Sequence, residues 1–138
     1  MRVMALDIGE VRIGIALTDP LCLIASPYDV HVRSDIKTDV KFFKDLIQSK
    51  KVSVLVAGLP KHLDGNEGKT AAKIRGFISE LKQEIDIEIV FQDERFTSKS
   101  ADQFLINQNM RRKKRRNVID KMAAQIILQN YLDKMKNQ

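Results

Sequence analysis

Two apolar runs separated by one glycine turn set the tightest constraint on what this chain folds into. Val3-Met4-Ala5-Leu6-Asp7-Ile8 is nearly continuous in apolar residues, the pattern of a central strand buried on both faces. Gly9 follows at the turn, and Arg12-Ile13-Gly14-Ile15-Ala16-Leu17-Thr18 reads as the hairpin partner. Asp7 is the exception inside the first run. An ionised carboxylate in an apolar strand costs several kcal/mol unless it is paired or bound to a metal, so its presence asks for a reason. The plainer alternative is a carboxylate near the strand end that hydrogen-bonds the turn at Gly9.

The remaining segments alternate. A weaker third strand covers Tyr28 to Val32, after Pro27, and the stretch from Asp35 to Lys50 has helical spacing, with Val40, Phe43, Leu46 and Ile47 on one face. Val52 to Gly58 is another buried strand, ending in Gly-Leu-Pro and a glycine-rich loop through Gly65 and Gly68. A second amphipathic helix follows with Ala71, Ile74, Phe77, Ile78, Leu81 and Ile85 on its apolar side. Ile87, Ile89 and Phe91 mark a fifth strand that runs into Gln92-Asp93-Glu94-Arg95. Thr97 or Ser98 caps a third helix carrying Ala101, Phe104 and Leu105, and a final helix from about Asn117 buries Ile119, Met122, Ala123, Ile126 and Ile127. A hairpin start followed by alternation predicts a five-stranded mixed α/β sheet flanked by helices, with the first, fourth and fifth strands mutually parallel. The length of 138 residues suits one domain spanning the chain, and no linker divides it.

Charge bears on the partner. The chain carries 24 Lys and Arg against 18 Asp and Glu, and Arg111-Arg112-Lys113-Lys114-Arg115-Arg116 holds six cations in succession, so without that run the two signs would balance. A basic excess gathered in one patch, placed here in the connection before the final helix, is the distribution expected for contact with a polyanion such as nucleic acid. A solvated, self-repelling loop is the bland alternative. No apolar run approaches the ~20 residues that span a bilayer, and Asp7 and Glu10 interrupt the start too early for a secretory signal. A lone Cys22 fits a reducing cytoplasm and reads as a small, buried hydrophobe.

Two further acidic positions stand beside Asp7. Asp93 and Glu94 end the fifth strand at its carboxyl edge, where ligands gather in open α/β sheets, and alternation sends them to opposite faces, so only one joins Asp7. Asp120 lies one turn into the predicted final helix, with Ala123 and Ala124 leaving room for close approach to the sheet. Helix-dipole stabilisation is an alternative account of that acid. Three carboxylates converging at one sheet edge repel one another unless a divalent cation lies between them, and hard oxygen ligands suit Mg²⁺ or Mn²⁺. Such a site hydrolyses phosphodiesters, one ion activating water and another stabilising the leaving oxygen. Competing machinery is missing: His31 and His62 are isolated, no nucleophile elbow occurs, and Gly68-Lys69-Thr70 lacks the spacing of a phosphate-binding Walker loop.

Taken together, these motifs resemble the YqgF family, also called RuvX, relatives of the RuvC Holliday junction resolvases. The matching segments are Asp7-Ile8-Gly9 with Arg12 to Ala16, Gly58-Leu59-Pro60 with Asp64-Gly65, Asp93-Glu94-Arg95 with Thr97, and Ile119-Asp120 with Ala123-Ala124 and Ile127-Leu128. The resemblance covers nearly the whole chain in order. It implies an RNase H-like fold and metal-dependent phosphodiester hydrolysis, with Asp7, Glu94 and Asp120 as catalytic, metal-binding carboxylates. The implied substrate is precursor small-subunit ribosomal RNA, processed near its 5′ end. Arg12, Arg95 and the run Arg111, Arg112, Lys113, Lys114, Arg115 and Arg116 become the candidate nucleic-acid contacts. RuvC-type enzymes place a carboxylate after the fourth strand, where this chain has Gly-Leu-Pro, so branched DNA is the secondary expectation. Glu10 stands where many relatives have a small hydroxyl residue, and adds an anion beside the site.

Two readings compete with a nuclease. One is a binding module in which the basic run holds phosphates and the carboxylates are structural. The other is an ATP-binding lobe of the actin and sugar-kinase type, which needs two such lobes where this chain has length for one.

Overall fold

The computed structural model describes residues 1–60, 68–93 and 112–136, with the helix backbone alone at 112–119. The strands are β1 (Arg2–Ile8), β2 (Arg12–Thr18), β3 (Ala25–Val32), β4 (Val52–Leu59) and β5 (Glu88–Asp93). The helices among the described residues are α1 (Ile36–Ser49), α2 (Lys69–Lys82) and α3 (Arg112–Lys136). One five-stranded sheet runs in the order β3-β2-β1-β4-β5. The β1–β2 and β2–β3 pairs are antiparallel, and β1–β4 and β4–β5 are parallel, as the alternation predicts.

The two faces of this sheet differ in side-chain size. Met4, Leu6 and Ile8 of β1 project with Ile13, Ile15 and Leu17 of β2 into a thick layer against Phe43 and Ile47 of α1 and Ile74, Phe77, Ile78 and Leu81 of α2. The intervening positions form the opposite face: Val3, Ala5, Ala16, Ala25, Val54 and Val56 pack against Ala124, Ile127, Leu128 and Leu132 of α3. Alanines on both sides of this second layer bring the helix axis close to the sheet. The buried stripe of α3 is thus Ala123, Ala124, Ile127, Leu128 and Leu132. Met122 and Ile126, expected in the core, flank that stripe half-buried.

Local signals set most element ends. Asp35 caps α1, its carboxylate accepting from the Thr38 backbone N–H at 2.8 Å and from the Thr38 hydroxyl at 2.9 Å. The β1–β2 turn closes through Gly9 N–H donating to the Arg12 carbonyl at 2.9 Å. A Cβ on Gly9 would sit 2.7 Å from that oxygen, so the turn requires glycine. Three boundaries differ from expectation. β3 begins earlier, at Ala25, because it is an edge strand and accommodates Pro27 at a register shift opposite Ala16. α2 ends at Lys82, and Ile85 reaches the core from beyond the helix.

The third difference concerns α3, which begins at Arg112 rather than near Asn117. Residues Arg112 to Arg116 are therefore helical, not part of a connection. Lysine and arginine are good helix formers, and nothing between Arg112 and Asn117 breaks a helix. The helix expected after Thr97 or Ser98 lies outside the described residues.

Candidate active site

The site grows from the β1–β2 register. Asp7 pairs with Gly14 across the antiparallel ladder, which holds the two Cα atoms about 4.5–5.5 Å apart. Strand alternation puts Asp7 on the face of Val3 and Ala5, and Gly14 on the face of Ala16, so both lie on the α3 side. There α3 crosses β2 so closely that a Cβ on Gly14 would collide with the Asp120 carbonyl. The absent side chain is what lets the helix backbone rest on the strand, and Asp120 thereby comes beside Asp7.

Asp120 is also more than two turns inside α3. Dipole stabilisation falls off within the first turn, so it does not account for this acid. A specific partner does: Arg12 Nε donates to Asp120 Oδ2 at 2.8 Å, joining residues 108 positions apart. Both side chains remain about a quarter exposed, at 26% and 21%.

Asp93 shares its face with Ile89 and Phe91, on the α1–α2 side and away from Asp7. Glu94, Arg95 and Arg111 lie outside the described residues. The described residues hold no group of three or more His, Cys, Asp or Glu arranged for a metal ion; they supply two of the three expected acids. Asp7, opposite Gly14, and Asp120, whose backbone packs on Gly14, are both hard oxygen donors, a chemistry that suits a small divalent cation. Arg112 to Arg116 sit four to eight residues before Asp120 on the same helix, about 6–12 Å along its axis. The first turn of α3 contains no acidic residue.

A second polar cluster, announced by no motif, braces the other side of the turn. Arg33 Nη1 donates to the Gly9 carbonyl at 2.7 Å, its backbone N–H donates to the Val11 carbonyl at 2.9 Å, and its guanidinium lies 5.1 Å from the Phe77 ring centre. Behind it Asp39, 1% exposed, accepts from the Ser34 N–H at 3.0 Å, meets His31 Nε2 at 2.8 Å and lies 3.7 Å from Arg33 Nε. Burial pushes the Asp39 carboxyl up, but the Ser34 N–H, His31 and Arg33 together hold it below the usual carboxylate range. The signal for Asp39 was its place four residues before Phe43, on the apolar face of α1. His31 stacks on Phe42 with ring centres 4.2 Å apart, a structural role as its isolation suggested. Glu10 pairs with Lys73 at 2.9 Å on the exposed surface, which holds its carboxyl low and occupies the extra anion. Cys22 is half-buried rather than buried, with φ 58° in the loop before β3. His62 falls outside the described residues.

A helix seated on the small-residue face of a β3-β2-β1-β4-β5 sheet, with one acid from each at the closest approach, defines an RNase H-like domain. A family model described as "RuvX: Holliday junction resolvase" matches residues 1–134. A relative from Natranaerobius thermophilus named "Putative pre-16S rRNA nuclease" is 45% identical over 138 residues, covering 100% of this chain and 98% of its own. Another of the same name, from Clostridium tetani, is 39% identical and covers 100% of both chains. The chain belongs to the RuvX family. Among solved structures, RuvC of T. thermophilus in complex with Holliday junction substrate gives a TM-score of 0.61 at 11% identity, covering 100% of this chain and 97% of that one. The fowlpox virus resolvase bound to Holliday junction DNA gives 0.58 at 13% identity, covering 98% of this chain and 99% of that one. At these identities the likeness is one of fold.

Proposed function

We propose that this chain is a divalent-cation-dependent nuclease that cuts precursor small-subunit ribosomal RNA near its 5′ end, in the cytoplasm. The observation that carries the reading is the seating of Asp120 over Gly14, beside Asp7. That arrangement supports a cation shared by the two carboxylates, since Asp7 lies opposite the strand position on which Asp120 packs. Asp7 and Asp120, with Glu94 as third member, hold Mg²⁺ or Mn²⁺. Bound there, such an ion would supply a lowered water pKa and charge neutralisation at the leaving oxygen. The protein contributes a fixed scaffold: Asp7 is held by the hairpin register and Asp120 by the contact of α3 with β2, so neither reorganises as charge develops. Arg12, Arg95 and residues Arg111 to Arg116 hold the phosphates on either side of the scissile bond. The names of the relatives support RNA as substrate, and the family description supports branched DNA as the second substrate class.

The test is a cleavage assay that compares precursor ribosomal RNA with a four-way DNA junction, with and without Mg²⁺. The expected result is Mg²⁺-dependent cleavage of the RNA, reduced by about 10³-fold or more in Asp7→Asn and Asp120→Asn while both variants keep the wild-type circular dichroism spectrum. Undiminished cleavage in both variants would sink the metal-site assignment. Cleavage of the junction alone would move the substrate to DNA. Salt-sensitive RNA binding without cleavage of either substrate would leave a binding module.

A further inference from the structure

The Arg12–Asp120 pair sits at a carboxylate that the proposed function gives to a metal ion, and the two uses compete. Asp120 Oδ2 accepts from Arg12 Nε at 2.8 Å, and both side chains are partly open to solvent. Arg12 opens β2, next to the Gly9 turn and two positions before Gly14, on the same strand face. Its Cα is fixed by the ladder, while its long side chain has freedom to swing. A guanidinium that neutralises Asp120 keeps two neighbouring acids compatible when no metal is bound. A divalent cation on the same carboxylate removes the reason for the pair and repels the guanidinium. Arg12 is then a fixed-charge cation within side-chain reach of the site, with its planar donor fork available to a phosphate.

We infer that Arg12 is a cation placeholder which hands Asp120 to the metal and turns to the substrate phosphate, so that metal and nucleic acid bind with positive coupling. This rests on the proposed metal site, and makes Arg12 a positioning residue for Asp120 in one state and a phosphate contact in the other. A purely structural ion pair, in contrast, would stabilise the fold in both states and leave the affinities uncoupled.

Calorimetric titration of Mn²⁺ into the full chain, without nucleic acid, separates these outcomes. Arg12→Gln removes the competitor, and Mn²⁺ is expected to bind about fivefold tighter than to wild type, the worth of a partly exposed ion pair. Arg12→Lys keeps a charge there and is expected to stay within about twofold of wild type. A second arm measures a single-stranded RNA oligonucleotide in EDTA. Asp120→Asn frees Arg12 and tightens RNA binding, and the gain shrinks when Arg12→Gln is added. Thermal melts of each variant identify any that fails to fold, and the lysine variant with the RNA arm keeps the inference exposed if the glutamine variant does. Unchanged or weaker Mn²⁺ binding by folded Arg12→Gln would overturn the handover alone. An equal RNA gain with and without Arg12 would overturn it too. A wild-type protein that takes up no Mn²⁺ would instead remove the metal site itself, and the handover with it.

Discussion

Gly14 and Asp120 are in contact because one of them has no side chain. The carbonyl of Asp120 occupies the space that a Cβ on Gly14 would fill, so the closest approach between sheet and helix is also where the acid is presented. Gly14→Ala should therefore force α3 off β2. Overpacking of this kind typically costs about 1–3 kcal/mol, and a backbone clash belongs at or above the upper end. Urea unfolding of Gly14→Ala should show a loss of at least ~2 kcal/mol, with cleavage lost more steeply than stability because Asp120 moves. A variant of wild-type stability would mean that the helix does not seat where the structure places it.

Gly76 poses the opposite case. It lies exposed in the middle of α2, and a Cβ there meets nothing within 4 Å. Gly76→Ala should stabilise the protein by about 0.5–1 kcal/mol through helix propensity alone. A rise in the urea midpoint at unchanged slope is the expected readout; destabilisation would show that the position is crowded.

Asp39 should give the protein an acid-sensitive limb. Its folded carboxyl is held below its ordinary value of 3.8, so the ionised form is favoured by folding. That contribution is present in full above the unfolded value, and is lost as the pH falls through the lower folded value. Asp39→Asn keeps the shape but replaces the charged acceptor facing His31 and Arg33, and should cost about 2 kcal/mol near neutrality. The gap between wild type and variant should narrow below about pH 4. Stability curves that run parallel from pH 3 to 7 would contradict the assignment.

The basic segment at the start of α3 should set the salt dependence of RNA binding. Replacing Lys113, Lys114, Arg115 and Arg116 with Gln removes up to four phosphate contacts. The slope of log affinity against log salt should then fall by up to about 3, at ~0.7 for each contact to a single strand. Affinity should drop on all sequences alike, since phosphate contacts position without reading bases. An unchanged slope would return the segment to the status of a solvated helix end.

How much of this was legible in the sequence follows from the range of each interaction. The element types and the parallel set of first, fourth and fifth strands could be read because β1 and β2 are apolar at successive positions while α1 and α2 repeat every three or four, so each element declared its period. The carboxylates Asp7 and Asp120 stood out by type and motif. The start of α3 was misplaced because successive cations look like a loop by charge, although by propensity they are helical. The pairing of Arg12 with Asp120 joins positions 108 residues apart and has no local signature. Asp39 did carry one, an acid on the apolar face of α1, but only its burial against His31 and Arg33 turned that irregularity into a brace for the Gly9 turn.

The seating of α3 on the hairpin has a consequence for how the protein comes into being. A chain emerging from a ribosome exposes its N-terminal segments first. The hairpin that carries Asp7 is therefore made early, and the helix that carries Asp120 comes more than a hundred residues later. Until that helix has emerged and docked, the growing chain has half of the acidic pair and an open sheet face. Synthesis itself thus acts as a delay: the acids, and the basic residues beside them, come together only once that last helix has emerged and docked.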